Sequence, residues 1–338
     1  MPVAGFHSAA VNVPRSAGNL LRSVGAGIPL SVYRNRSAQM HAHVERDVTR
    51  MDVLFVDHFL MFQYVPRAFT GRVVLHQHNA EHLIWQRYAA LSNPGAKRLA
   101  AGWEAQRIRS YERDICTRAH VVLAAPNDIE SLTAIGVPRE RFVETLHLGD
   151  EALLQRPNIE FAHTDLRLLY VGSLDWEANR HGLLWFLAEV WPPLLRAHPD
   201  LKLTIAGRNA DEELTQAVAR SPGVELAGFV DDLEPHYSRA RVFIAPLRFG
   251  GGIKVKVVNA LYRGLPQVTT AVGAEGLLVK SGRDLFVADT SEKMAGDISR
   301  LLSDETTWTN MRDNARTLAR EKYTWETTLS RMESTLHG

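Results

Sequence analysis

The sequence predicts an α/β fold of two Rossmann-like domains, on three observations. Its 338 residues exceed the roughly 250 to 300 at which a single core stops growing, so two domains are expected. From Leu166 onward, short β-branched runs alternate with stretches of helical period, the pattern of a parallel sheet with crossover helices. A weaker version of that pattern fills the first half. Between the halves it lapses, around Gln155 to Thr164, where Pro157 and several polar residues read as a linker. The domains are therefore placed at residues 1–158 and 159–320.

The first 50 residues hold no convincing strand followed by a glycine-rich turn and a helix, the unit that opens a doubly wound domain. Gly25-Ala26-Gly27 follows helical residues and does not qualify. Strands are expected at Asp52 to Val56, Val73 to His76 and His120 to Ala124, with a long helix over about Pro94 to Thr117. In the second half they are expected at Arg167 to Val171, Leu201 to Ala206, Val224 to Leu226, Val242 to Ala245 and Gln267 to Thr270. Between the first two of these, Leu183, Leu187, Val190, Trp191, Leu194 and Leu195 recur at helical spacing. They give one apolar face to lay on a sheet, and so one complete βαβ unit.

Composition excludes several classes. With 45% hydrophobic and 23% charged residues, a net charge of +1 and no low-complexity tract, the chain reads as globular, and no nucleic-acid partner is expected. The apolar runs Val53 to Val56 and Phe59 to Phe62 are broken by Asp57, His58 and Gln63, far short of the roughly 20 residues that span a bilayer. The first five residues lack the basic lead and apolar segment of a secretory signal. A single cysteine, Cys116, rules out an internal disulfide, which suits a cytoplasmic location. Residues 1–150 carry 17 Lys and Arg against 13 Asp and Glu. Much of that excess is Arg98, Arg107, Arg109, Arg113 and Arg118, on the long helix that also holds Trp103 and Tyr111. A solvated face is the plain reading of it; peripheral contact with an anionic membrane or acceptor is the sharper one.

The stretch Ala245-Pro246-Leu247-Arg248-Phe249-Gly250-Gly251-Gly252-Ile253-Lys254-Val255-Lys256-Val257-Val258-Asn259-Ala260 carries the most chemistry. It reads as strand, glycine run, helix, with Ile253, Val257, Val258 and Leu261 on the buried face. Glycines permit close backbone approach to a ligand, and the first turn of a helix directs N–H groups and a positive dipole end at an anion. Lys254 and Lys256 add two charges, so a diphosphate is the expected guest. A plain glycine-rich turn with two surface lysines is the alternative. Three further strand-end loops, at Gly172-Ser173-Leu174-Asp175-Trp176, Gly207-Arg208-Asn209 and Val272-Gly273-Ala274-Glu275-Gly276, fall on the side where open α/β sheets bind ligands.

Those motifs, together with Tyr170-Val171, Leu226-Ala227-Gly228-Phe229-Val230-Asp231-Asp232-Leu233 and Leu277, make residues from about Tyr170 to Trp325 resemble the nucleotide-sugar-binding half of family-4 retaining glycosyltransferases, in their glycine-run branch. The resemblance implies a GT-B architecture, with two domains facing a cleft. A nucleoside-diphosphate sugar is the implied donor, and a glycan or lipid-linked hydroxyl the acceptor. It implies diphosphate contacts from Gly250, Gly251, Gly252, Lys254 and Lys256. Contacts to ribose, base and donor sugar fall to Gly172, Ser173, Arg208, Phe229, Val230, Asn259, Gly273 and Glu275. Family members commonly carry two glutamates eight positions apart; here Gly251 and Asn259 stand there, which bears on donor strength or choice. An amide can still bond a ribose hydroxyl, without the added strength of a charge. No Asp-x-Asp motif is present, so no metal and no cofactor are expected.

The first half resembles the family more loosely. Val11 to Arg15 look like the end of its third strand, so the 1–158 domain, the acceptor side, reads as lacking its first strands. Residues 321–338 are expected to form a helix returning to it. The run His76-Gln77-His78-Asn79-Ala80-Glu81-His82 contains His-x-x-Glu-His, a zinc-protease signature that requires both histidines on one helix. With a strand ending at His76 and Asn79 capping the helix, His78 precedes that helix, and the zinc reading is set aside. The resemblance instead assigns His78 to the donor sugar and the reacting groups, with His76 second. A structural histidine is the alternative for either, and Asp57 and His58 are placed on the acceptor side. The expected function is retaining, metal-independent transfer in polysaccharide assembly. The alternative is a catalytically silent partner protein, with a nucleotide-sugar epimerase a distant third.

Overall fold

The computed structural model describes residues 5–336. They form two compact units, residues 5–146 with 329–336, and residues 147–328.

In the first unit, four parallel strands lie in chain order: β1 (Val53–Asp57), β2 (Arg72–His76), β3 (Val121–Ala124) and β4 (Phe142–Glu144). Val73, Leu75, Val122 and Phe142 bury one apolar layer with Ile108 and Ile115 of the long helix Ala96–Arg118. Val11 to Arg15, expected as a strand end, carries no strand. A helix entry occupies that place instead: the Ser16 hydroxyl accepts from the Asn19 amide N–H at 3.2 Å, and the Asn19 side chain donates to the Pro14 carbonyl at 2.9 Å. Helices Ala17–Gly25, Leu30–Tyr33 and Ala38–Asp47 lie in the stretch before β1. At the other end of the chain, Arg72 donates to the Thr335 carbonyl at 2.9 Å, within the helix Trp325–Leu336.

The second unit is a six-stranded parallel sheet in the order β10-β9-β8-β5-β6-β7. Its strands are β5 (Arg167–Val171), β6 (Lys202–Ala206), β7 (Val224–Gly228), β8 (Val242–Ala245), β9 (Gln267–Thr269) and β10 (Phe286–Val287). Central β5 and β8 are fully apolar inside, which is what burial on both faces of a parallel sheet demands. Leu183, Leu187, Val190, Trp191 and Leu194 pack into that core from one helical run, as their spacing suggests.

The chain divides at Leu146 and His147, earlier than the polar composition suggests. The cause is three nearly buried arginines that hold the expected linker to the second unit. Arg316 donates to the carbonyls of Leu154 and Arg156, Arg263 to that of Pro157, and Arg312 to that of Ile159. Arg263 is itself paired with Glu234 at 2.8 Å. Removing Arg316 takes a donor from three carbonyls, with the contacts to Leu154 and Arg263 buried. Arg316→Ala is therefore expected to lower the stability of this unit by about 3 kcal/mol in urea unfolding; a loss under 1 kcal/mol would mean the segment is held by something else.

Candidate functional site

The second unit builds a pocket where its sheet reverses order. β5 has β6 on one side and β8 on the other, so the loops leaving β5 and β8 run apart and open a crevice at the carboxyl ends of the strands. A cavity of about 260 Å³ lies on the β6 side of that point, at the ends of β5, β6 and β7, lined by Gly172, Ser173, Gly207, Arg208, Phe229 and Val230 among others. The loops after β5 and β6 are tied together. Leu174 N–H donates to the Arg208 carbonyl at 3.0 Å, and Asp175 accepts from Ser173 at 2.6 Å and from Asn209 at 3.0 Å. Asn209 takes a left-handed φ of 63° to complete that bridge. Asn179, nearly buried, donates to the Ser173 carbonyl at 2.7 Å. Phe229 presents 67% of its surface, with the Arg208 guanidinium 6.0 Å from its ring centre. An exposed ring beside Arg208, Val230 and Leu233 suits a planar heteroaromatic group with polar substituents.

Sequence reasoning named Gly172, Ser173, Arg208, Phe229 and Val230, which share this pocket. It missed Asp175, Asn209 and Asn179, which hold the lining in place, because side-chain bridges between loops leave no periodic trace.

The glycine run follows β8. Gly250 and Gly252 adopt φ of 138° and 63°, a region closed to most side chains. The helix starts at Val255 with Lys254 as its N-cap, so Ile253, expected on the helix's buried face, is buried just before it. Both lysines, expected to reach a diphosphate, turn their ammonium groups onto the protein itself. Lys254 is 3% exposed and its ammonium donates to the Gly251 and Gly252 carbonyls, fixing the turn from within. Lys256 donates to Tyr170 Oη at 2.8 Å and to Asn179 Oδ1, with its Nζ 4.5 Å from the Tyr170 ring centre. Tyr170 lies on β5 directly before the pocket's Gly172, and a Cβ at Gly172 would come within 2.8 Å of that ammonium.

Burial, then repulsion from Lys254, lowers the Lys256 ammonium to about 7. Its folded pKa lies below the unfolded value of 10.5, so the unfolded chain holds more protons between those limits and stability rises with pH across that window. Lys256→Met is expected to flatten the rise between pH 7 and 9.5, read as the shift in urea midpoint; an unchanged slope would contradict the buried charge.

Two other expected contacts are occupied by the protein itself. Asn259 Oδ1 accepts from the Asp150 N–H at 2.8 Å, and Gly149 packs against the same amide. Gly273 is buried in the short helix Ala271–Ala274, its N–H bonded to the Thr270 hydroxyl at 3.1 Å. Glu275 follows as that helix's C-cap.

In the first unit, the ends of β1 and β2 gather Asp57, His58, His76 and His78. Asp57 and His76 are paired residues of the parallel ladder, and His78 follows two positions on. His76 Nδ1 and His78 Nε2 both meet Asp57 Oδ1, at 2.9 and 2.7 Å. Partial burial raises the Asp57 carboxyl, but hydrogen bonds from His78 and His76 outweigh it and hold it below the ordinary value. Burial and then His78 lower His58 to about 4, so it is neutral at pH 7, and the same two causes lower His76. His58 sits at φ 79°, an uncommon conformation for a non-glycine residue and one that gathers at functional sites.

The helix after β2 runs from Glu81 to Leu91 with Ala80, not Asn79, as its N-cap. His78 therefore precedes the helix while His82 lies on it, buried against Glu112 at 2.6 Å. The His-x-x-Glu-His pattern forms no metalloprotease site. On the arginine-rich helix, Arg107 donates inward to the Ile28 carbonyl and the Ser23 hydroxyl, and Arg118 lies over Phe62. Leu99 and Trp103 are exposed on the same helix. Among the described residues, no helix is long and apolar enough to cross a membrane.

The chain is similar in sequence and in fold to known proteins. Residues 165–304 match the family model for glycosyl transferases group 1. A 129-residue stretch is 33% identical to an uncharacterized 44.6 kDa protein of the cps region of Klebsiella pneumoniae, covering 36% of this chain and 33% of that one. The match thus spans about a third of that relative's length. Anabaena HepE, solved with UDP and glucose, superposes with a TM-score of 0.69 at 18% identity, over 88% of this chain and 81% of HepE. The fold is GT-B. Sucrose-phosphate synthase from Thermosynechococcus elongatus gives the same TM-score and identity over 76% of its own length. Staphylococcus aureus TarM, solved with UDP among its ligands, gives 0.67 at 11% identity over 59% of its chain. The GT-B assignment accounts for two Rossmann-like units and for a pocket in the second one, inside the matched segment.

Proposed function

We propose that the protein transfers a sugar from a nucleoside-diphosphate sugar to a hydroxyl of a glycan or lipid-linked acceptor, with retention and with no metal on the diphosphate. One observation carries the reading: the pocket formed by Gly172, Ser173, Arg208, Phe229 and Val230 lies within the segment that matches the group 1 family. Phe229 and Val230 flank the base, and Arg208 offers its charge to the phosphates. The glycine run Gly250 to Gly252, stiffened by Lys254, brings backbone towards the same anion, and Lys256 lends buried charge from beneath Gly172. Asn259, Gly273 and Glu275 remain assigned to the ribose and donor sugar. His78, with Asp57 as its partner, is proposed as the catalytic histidine, and His58 as an acceptor-side group. The cps-region relative supports polysaccharide assembly as the setting. Leu99 and Trp103, beside Arg98, suit contact with an anionic lipid surface.

Calorimetric titration with UDP and with GDP tests this. One nucleotide is expected to bind with unchanged affinity in EDTA, and Arg208→Ala to weaken it at least tenfold, the scale of one charge-assisted contact. No binding of either nucleotide by folded protein would sink the transferase reading. Binding without sugar turnover would favour a silent partner, a reading with its own support in Asn259, whose amide is already bonded to Asp150.

A further inference from the structure

The Asp57, His76 and His78 side chains do more than pair. Each offers one ligand atom, and the three atoms lie within 4.8 Å of one another. They come from adjacent strand ends whose register is fixed by the β1–β2 ladder, with His58 N–H donating to the His76 carbonyl at 3.0 Å and Gln77 N–H to the Leu123 carbonyl at 2.8 Å. Donors around a tetrahedral zinc ion sit about 2.0 to 2.2 Å from the metal, hence roughly 3.3 Å from one another. Two ring nitrogens already 2.9 and 2.7 Å from one carboxylate oxygen need only small side-chain rotations to reach that spacing.

We propose that Asp57, His76 and His78 form a binding site for a borderline divalent transition-metal ion of the zinc class. Two imidazoles and a carboxylate favour such an ion over magnesium or calcium, which call for oxygen donors throughout. Asp57 is 62% exposed, so the ion has an entry path. Three protein ligands leave a fourth position for water or for an oxygen of a bound molecule. The three ligands belong to the first unit and the diphosphate pocket to the second, and the inference does not rest on the transferase reading. An ion here replaces the His78 Nε2 to Asp57 contact on the same histidine that the proposed transfer uses, so its free and metal-bound forms are distinct states.

The test is calorimetric titration of the whole, EDTA-stripped chain with zinc in the absence of nucleotide, with cobalt absorption as a second readout. One equivalent of zinc is expected, with the intense visible bands of four-coordinate cobalt and no heat from magnesium. His76→Ala and Asp57→Asn, taken singly, are each expected to weaken zinc at least tenfold. Asp57→Asn alters an exposed side chain without changing its shape, and circular dichroism confirms the fold of both variants. Absence of stoichiometric zinc binding would overturn the proposal. So would zinc held equally well by both variants, which would place it on others of the fourteen histidines.

Discussion

Glu112→Ala is expected to lower the stability of the first unit by about 3 to 5 kcal/mol, the cost of breaking a buried charged network from one side. Glu112 is fully buried on the long helix Ala96–Arg118. It accepts from Gln77 Nε2 at 2.8 Å, Glu81 N at 2.7 Å, His82 N at 3.1 Å and His82 Nδ1 at 2.6 Å. Ala80 has no capping side chain, so a carboxylate from the neighbouring helix caps Glu81–Leu91 and meets its positive dipole end. Alanine removes the acceptor of four donors, of which Gln77 Nε2 alone keeps another, the Asn79 carbonyl at 2.8 Å. For a unit of this size the loss corresponds to a fall in melting temperature of roughly 6 to 20 °C. A fall under 3 °C would show that water or another group takes over. The neighbouring Glu81 sharpens the test. Burial and then Glu112 raise its carboxyl to about 7, so its contribution is present at low pH and is lost as pH rises through that value. Glu81→Gln is expected to reduce the loss of stability between pH 5 and 7.5.

Gly207→Ala is expected to cost the donor pocket at least a hundredfold in nucleotide affinity, as calorimetry would read it. A Cβ at Gly207 falls 1.9 Å from the Gly172 carbonyl oxygen and 3.0 Å from Leu174 Cγ. Neither loop can yield cheaply. Gly207 N–H is bonded to the Gly228 carbonyl at 2.8 Å, and Gly172 N–H to that of Ala206 at 3.0 Å. The methyl group therefore drives apart the two strand ends that carry Ser173 and Arg208, and a displacement of about 1 Å at a binding constellation costs on the order of a hundredfold. Overpacking adds roughly 1 to 3 kcal/mol of lost stability. Gly296→Ala, in the helix Ser291–Ser303 with nothing within 4 Å of the added carbon, is the matched control and should be neutral or slightly stabilising. Equal nucleotide affinity in Gly207→Ala and the native chain would remove the pocket from the account.

The sheet of the second unit was legible because β5, β6, β8 and β9 are short apolar runs bounded by glycine, proline and polar turns, and their bounds lie within a residue of the sequence reading. Phe142–Glu144 and Phe286–Val287 were not read as strands. Segments of three and two residues are too short to show a period, and only their neighbours β3 and β9 define them. Gly172 and Arg208 were legible because strand-end loops of a parallel sheet fall on one side, whereas Phe229 was legible only through the family resemblance. The directions of Lys254 and Lys256 were not. An alkyl-ammonium chain turns inward only when acceptors await it, here the glycine carbonyls, Tyr170 and Asn179, which come from other parts of the fold. Asp57 and His76 were each singled out, yet their convergence with His78 depends on strand register, which composition does not encode. The linker is the same lesson in reverse: its polar stretch is held to the second unit by arginines more than a hundred residues away.

The central claim is that the second unit binds a nucleotide at the ends of β5, β6 and β7. A crystal structure of the chain soaked with UDP, and separately with GDP, tests it most directly. A base is expected against Phe229 and Val230, with phosphate oxygens between Arg208 and the Gly250 to Gly252 backbone. A nucleotide ordered elsewhere, or this pocket left without one at millimolar concentration, would contradict it.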